Sequence, residues 1–167
     1  MTDEKAFAGN SASVGPSDLE AEQMVLGSIL VDHRALQQAE DMLLPIYFAN
    51  EANLLIASAC LGLSKRDMIA NPVTVKEELT TQGKLVAAGG AEYLIRLAAL
   101  GRSRGLRGII FKLQDLYLRR VLIAEAQRMI ERVSTPEDGE KGFEALSATV
   151  ARLQELRHKV AKFMGGF

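Results

Sequence analysis

The chain has no tryptophan, one cysteine and two histidines among 167 residues, and aromatics make up only 5% of it. A single cysteine, Cys60, excludes an internal disulfide framework and fits a reducing compartment. Its neighbours Ile56, Ala57, Ala59 and Leu61 are apolar, so a buried, inert thiol is expected. His33 and His158 stand far apart with only Cys60 between them. That leaves no metal-ligand spacing and predicts two surface histidines. The scarcity of aromatics, beside 48% hydrophobic residues biased towards Ala, Leu, Ile, Val and Met, favours helices over a β-sandwich.

A charge of one sign is missing too. The formal net charge is −1, so no basic excess drives nonspecific nucleic-acid binding, and weak or no direct binding is expected. No apolar run approaches the ~18 residues of a membrane span, and residues 1–15 lack the apolar stretch of a signal peptide. A soluble, cytoplasmic chain is therefore expected. A phosphate-binding loop needs Gly-x-x-x-x-Gly-Lys-Ser/Thr after a strand, so that backbone N–H groups and the lysine surround the phosphates. The only Gly-Lys pair, Gly83-Lys84, is followed by Leu85 and has no glycine five residues before it. Carboxylates are plentiful, but they are expected on exposed helix faces and helix starts, without a pairing that indicates catalysis. No catalytic residue, cofactor or metal is predicted.

What is present reads as helix throughout, with no sustained strand-like alternation. Residues 1–15 carry Gly, Ser, Ala, Asn and charges without periodicity, and read as a mobile arm. A head of five helices is expected over residues 16–101. Its first helix opens with Ser17 as the cap and Glu20 reaching back to it. Asp18, Glu20 and Glu22 place negative charge at the positive end of the dipole. Leu19, Val25, Leu26, Ile29 and Leu30 supply an apolar stripe. Asp32 caps a second helix over Arg34–Leu43, ended by Pro45. Asn50 caps a third, stopped by Gly62. Thr74 with Glu77 opens a fourth, ended by Gly83, and a fifth runs from about Gly90 to Leu100, closed by Gly101.

Residues 102–167 are different. From Leu106 to Val133 there is no proline and one glycine, which predicts a helix about 40 Å long. Ser134 to Gly139 supplies turn signals, and a second helix follows to about Phe163, with Phe143, Leu146, Val150, Leu153, Val160 and Met164 mostly at three/four spacing. Matched lengths and a short connection imply an antiparallel hairpin. The apolar residues of the long helix spread over more than half its circumference, more than one hairpin partner covers. The excess predicts self-association through Leu116, Val121, Ile123, Ile130, Leu146, Val150 and Leu153. The alternative is a monomer in which the head folds over the whole hairpin. Arg96, Arg102, Arg104 and Arg107 form the densest basic stretch and read as a solvated junction in preference to a nucleic-acid or acidic-partner contact. Gly89-Gly90 reads as a structural start to the fifth helix in preference to an anion nest.

One ordered set of motifs is more specific. Leu-Glu-Ala-Glu-Gln at 19–23 is followed by Leu26-Gly27-Ser28-Ile29-Leu30, then Tyr47-Phe48, Pro72-Val73-Thr74-Val75, Gly83-Lys84-Leu85, Gly89-Gly90-Ala91-Glu92-Tyr93-Leu94 and Arg119-Arg120-Val121-Leu122-Ile123. In this order and spacing, over residues 16–125, the chain resembles the N-terminal domain of bacterial replicative DNA helicases of the DnaB type. The signature positions are Glu20, Glu22, Gln23, Leu26, Gly27, Gly89, Gly90, Tyr93, Leu94, Arg119 and Arg120. Two stretches depart from the family pattern, Asn50-Glu51-Ala52-Asn53 and the Gly- and Arg-rich run 101–108.

The resemblance implies an all-α globular head carrying a protruding hairpin, and hairpins that pair between subunits. Paired domains in the family build a collar of three dimers above a motor ring whose ATPase lies in a separate domain. The implied partners are a second copy of the chain, the C-terminal domain of a primase, and a helicase loader. The implied role is non-catalytic assembly and docking, by an excised domain or by a gene encoding this domain alone. Two rivals stand beside it: a free-standing regulator or decoy that binds the helicase or primase, and the helicase-binding domain of a primase, which shares the helical head-and-hairpin plan. The Glu-Ala-Glu-Gln…Leu-Gly string argues against the second.

Overall fold

The computed structural model describes residues 15–102, 105–135 and 141–163. Seven α-helices run in order, with no strand among the described residues: α1 (Leu19–Val31), α2 (His33–Ala39), α3 (Glu51–Ser64), α4 (Pro72–Thr81), α5 (Gly90–Leu100), α6 (Leu106–Ser134) and α7 (Gly142–Phe163). The expected arm lies outside the described residues for 1–14, as do Arg104, the turn at 136–140 and Met164.

Local chemistry explains most helix starts, though not always through the expected residue. Asp18, not Ser17, caps α1: its carboxylate accepts the Ala21 N–H at 2.9 Å. The helix begins one residue later than the cap pattern suggests, leaving Ser17 and Glu20 exposed. Asp32 and Asn50 cap α2 and α3 as expected, accepting from the Arg34 and Asn53 N–H groups. The capping box of α4 is formed by Asn71 and Thr74, not by Thr74 and Glu77, with Pro72 in the first turn, where its missing N–H removes no intrahelical bond. α2 stops at Ala39, six residues before Pro45, and Pro45 instead opens a short 3-10 turn, Pro45–Tyr47. Gly62 does not stop α3, which continues to Ser64. The chain then reverses at Asp67, whose φ of 57° is left-handed and tolerated by an acidic side chain.

The core joins α1 to α5 and the N-terminal part of α6. Val25, Leu26, Ile29, Ile56, Val75, Leu79, Leu94, Leu97 and Ile110 are its buried centre. α1 packs most extensively on α5, and Gly27 makes that crossing possible: a Cβ there would sit 2.2 Å from the Leu97 carbonyl oxygen. Gly101 faces it from the other side, where a Cβ would lie 2.4 Å from the Gly27 oxygen. Next to this contact the Ser28 hydroxyl accepts the Arg102 N–H at 3.1 Å, tying α1 to the start of the α5–α6 junction. Leu106, Ile110 and Leu113 anchor α6 in the head core. The rest of α6 leaves the head and pairs with α7, burying Ala145 and Leu156.

Candidate protein–protein interface

The signature positions and the predicted self-association positions occupy different parts of the molecule. Most signature side chains point inward. Glu22 is only 1% exposed, which corrects the expectation that the carboxylates lie on exposed faces. It is tolerated because its oxygens accept the Ala49 N–H at 2.7 Å, the Asn50 N–H at 3.3 Å and the Asn53 amide at 2.9 Å. A buried carboxylate thus satisfies the free N–H groups at the start of α3, where the helix dipole also favours negative charge. The network continues as Tyr93 donates to Asn53 at 2.7 Å and Gln23 donates to Tyr93 at 3.2 Å. Gly89 is left-handed, with φ at 86°, and a Cβ there would press on the Tyr93 ring. Leu26 and Leu94 are buried core.

The arginine pair splits its duties. Arg119 lies on the exposed face and pairs with Asp115 one turn earlier, at 2.7 Å. Arg120 turns inward, donating to the Pro16 carbonyl at 3.0 Å and the Tyr47 carbonyl at 2.7 Å, with its guanidinium over the Tyr117 ring. Burial pulls its pKa down, and the charge of Glu22 opposes that shift. Burial also pushes the Tyr117 hydroxyl up to about 12. Cys60 is fully buried and its thiol is pushed up to about 12 by the same cause, as an inert core residue requires. His33 and His158 are exposed, and no group of three His, Cys, Asp or Glu among the described residues could hold a metal. No helix among them is long and apolar enough to cross a membrane.

The projecting hairpin is a surface of another kind. Ile123, Ile130, Leu146, Val150 and Leu153 are all exposed, Ile130 by 62% and Leu146 by 58%. Val121 is half-buried. Leu116 is placed elsewhere: it packs against the head core, because the head reaches further along α6 than helix periodicity alone indicates. Leu122, Met129 and Phe143 enlarge the exposed face, Phe143 at 77%. They were legible as apolar, but only the α6–α7 pairing shows which side of each helix stays uncovered. Between the helices lies a groove of roughly 490 Å³ whose walls include Leu122, Ala126, Met129, Thr149, Arg152 and Leu153. Its charges are internally paired, with Arg152 bridging Glu125 at 3.5 Å and Glu155 at 3.0 Å, and Arg128 also on Glu125. The distal hairpin therefore combines exposed apolar side chains with charges at Glu125, Arg128 and Arg152 that pair within the hairpin.

Residues 14–104 match the family described as DnaB-like helicase N-terminal domain. The replicative DNA helicase DnaB of Geobacillus stearothermophilus is 38% identical over 88 residues, covering 53% of this chain and 19% of that protein. The DnaB of Synechocystis is 30% identical over 155 residues, covering 90% of this chain and 17% of that protein. The chain thus spans about a fifth of the length of these relatives. The crystal structure of the N-terminal domain of DnaB helicase from Mycobacterium tuberculosis superposes with a TM-score of 0.77 at 28% identity. It covers 84% of this chain and 99% of that one, so the likeness extends beyond the head into the hairpin. With the buried signature network, the α1–α5 crossing and the head-plus-hairpin plan in place, the chain belongs to the DnaB-like helicase N-terminal domain family.

Proposed function

We propose that this chain is a non-catalytic assembly and docking module of a DnaB-type replicative helicase. The observation that carries the reading is the hairpin: an apolar face on α6 and α7 that no other described part of the chain covers, including Ile130, Val133 and Phe143. Exposed apolar area of this extent on a projecting element is satisfied by another molecule. The partner is a second copy in this reading, because an apolar face shared by Ile123 and Ile130 on one helix and Leu146, Val150 and Leu153 on the other can be buried against the same face of another chain about a two-fold axis. Three such pairs make a collar, and the assembled collar is the dock for the C-terminal domain of a primase and for a helicase loader. ATP hydrolysis and strand separation belong to another domain of the helicase.

The test is the mass in solution and its coupling to docking. Ile123→Glu with Ile130→Glu converts the dimer to a folded monomer in sedimentation equilibrium, with helicity of the head retained. If two paired domains build the dock, the same variant loses binding to the cognate primase C-terminal domain. A wild-type chain that stays monomeric at high micromolar concentration refutes the pairing. Equal primase affinity of wild type and monomeric variant refutes docking on the collar.

A further inference from the structure

We propose that the end of the head where α1 and α5 stop and α6 begins is a docking face for an acidic peptide segment of another protein, one that carries an aliphatic side chain among its carboxylates. The inference does not depend on whether the chain pairs through its hairpin. α1 and α5 run side by side in the same direction, with Gln23 against Tyr93 and Gly27 against Leu97. Their last residues therefore emerge together. A Cβ on Gly101 would stand 2.8 Å from the Val31 Cγ2, so the Val31 side chain lies against the backbone that follows Leu100. Val31 is 54% exposed and Leu100 46%. This platform is fastened from below. The buried Ser28 hydroxyl lies 2.7 Å from the Arg102 carbonyl oxygen and accepts the Arg102 N–H at 3.1 Å. A face held in place in this way loses little freedom when a partner binds.

Charge specifies the partner. Arg34 in the first turn of α2, Arg102 in the junction and Arg107 in the first turn of α6 belong to this end of the head, and all three are exposed. Their guanidinium groups meet no carboxylate among the described residues. Elsewhere arginines are engaged: Arg66 with Glu78, Arg96 over the Tyr93 ring, Arg119 with Asp115 and Arg152 with Glu125. The cause is visible along the chain, since no Asp or Glu stands between Glu22 and Asp32 or between Glu92 and Asp115. Asp32, at the edge of the face, is already used, accepting the Arg34 N–H at 3.0 Å to cap α2. Compensation of the carbonyl ends of α1 and α5 does not account for the arginines, because that effect acts within the last turn and neither helix has a basic residue there. α6 adds positive field, with no side-chain cap and no acid in its first turn. The junction thus differs from the solvated one expected of its arginines: it is rigidly held and borders exposed aliphatic side chains. Guanidinium forks take carboxylates in pairs of hydrogen bonds, and Val31 with Leu100 gives an aliphatic side chain its seat. A single-stranded nucleic acid needs a series of aromatic rings for successive bases. This face offers aliphatic side chains instead, and Phe111, one turn along α6 from Arg107, is one ring and not a series.

The experiment measures binding to the full chain by fluorescence anisotropy. The probe is a labelled peptide of Glu-Glu-Leu repeats, compared with labelled Gln-Gln-Leu and Glu-Glu-Ser peptides of the same length and with labelled oligo-dT. Saturable binding of the Glu-Glu-Leu peptide is expected, weakened about tenfold by Arg102→Ala with Arg107→Ala. Leu100→Ser weakens it too. Arg119→Ala, an exposed arginine of the hairpin, leaves it unchanged. So does Ile123→Glu with Ile130→Glu, which separates this face from pairing. Every substituted residue is exposed, so the variants keep the wild-type helicity. Absence of saturable Glu-Glu-Leu binding overturns the proposal. Equal affinity for the Gln-Gln-Leu peptide does so as well, since charge would then be idle, and equal affinity for the Glu-Glu-Ser peptide shows the apolar seat to be idle. Tighter binding of oligo-dT, lost in the double arginine variant, assigns the face to nucleic acid. A fall in the mass of that variant in sedimentation equilibrium assigns it to a second copy. Either result removes the acidic peptide as the occupant.

Discussion

Ile110 and Ile130 lie on the same helix and have opposite fates. Ile110 is fully buried under α1 and its neighbours, whereas Ile130 is 62% exposed. The difference is that α1, α2 and the 3-10 turn Pro45–Tyr47 pack on the head end of α6, whereas α7 is the described element that accompanies its distal part. The head satisfies itself: its apolar centre is closed, α1 to α4 start at side-chain caps, and the buried carboxylate of Glu22 has three donors. The hairpin tip does not, since two helices cannot bury both flanks of an α6 that is apolar over more than half its circumference. Residues that carry the family likeness are accordingly concentrated in the self-sufficient part, and the exposed apolar residues in the other. Sequence likeness and exposed apolar surface therefore need not coincide, and the family match ends at residue 104, before α6 begins.

The sharpest way to break the contrast is to attack the head where two backbones touch. Gly27→Ala places a Cβ 2.2 Å from the Leu97 oxygen and 2.8 Å from the Gly101 nitrogen, neither of which a rotamer change relieves. A loss of about 3–5 kcal/mol is expected. Denaturant unfolding checks it, and a midpoint unchanged from wild type contradicts the close crossing. Glu22→Ala comes next. It leaves the Ala49 and Asn50 N–H groups and the Asn53 amide without their acceptor, and about 3 kcal/mol of head stability should be lost.

A smaller effect, confined to the other region, is expected of Leu156→Ala. Its side chain is 4% exposed and is one of the few buried points between α6 and α7. Removing it costs about 2 kcal/mol locally. Hydrogen exchange should accelerate throughout α7 while α1 and α3 keep their protection. Uniform acceleration would mean that head and hairpin unfold as one unit, and the contrast drawn between them would fail.

The smallest effect separates two neighbouring residues. Asp18→Ala should cost about 1 kcal/mol and Ser17→Ala nothing measurable, because the cap oxygen belongs to Asp18. The pH dependence follows. The Lys112 hydrogen bond first, and the Ala21 N–H second, hold the Asp18 carboxyl below its ordinary 3.8. A depressed folded value contributes stability that is present above the unfolded value and is lost as pH falls through the folded one. Between about pH 5 and pH 3 the wild type should therefore lose slightly more melting temperature than Asp18→Ala. The difference is small because the Lys112 side chain is 58% exposed and the pair is screened. Parallel melting curves over that range would remove Asp18 from the account.

Periodicity and punctuation made the seven helices legible, since both act over a few residues and are written next to the groups they serve. Asp32 and Asn50 could be read as caps because the N–H groups they accept lie two or three residues away. The misreadings were local competitions of the same kind. Ser17 and Asp18 are both acceptable caps, and the choice fell to the residue that Lys112, 94 positions later, could also reach. Gly62 reads as a stop, yet helical burial of Leu61 and Leu63 carries α3 through it. The exposed hairpin surface was legible as an excess of apolar residues, but not which of them faced outward. Leu116 was assigned to that surface and lies against the head.

By itself, then, the sequence determined the all-α class, the long hairpin, the inert cysteine and the likeness to a family, because each rests on composition, spacing or order along the chain. Only the tertiary structure decided that Glu22 is buried, that Gly27 and Gly101 are a backbone contact, and that of two adjacent arginines one meets solvent and the other clasps Pro16 and Tyr47. Those outcomes join residues 27 to 104 positions apart, and burial or pairing at such separations is set by how helices cross, which a one-dimensional pattern does not encode.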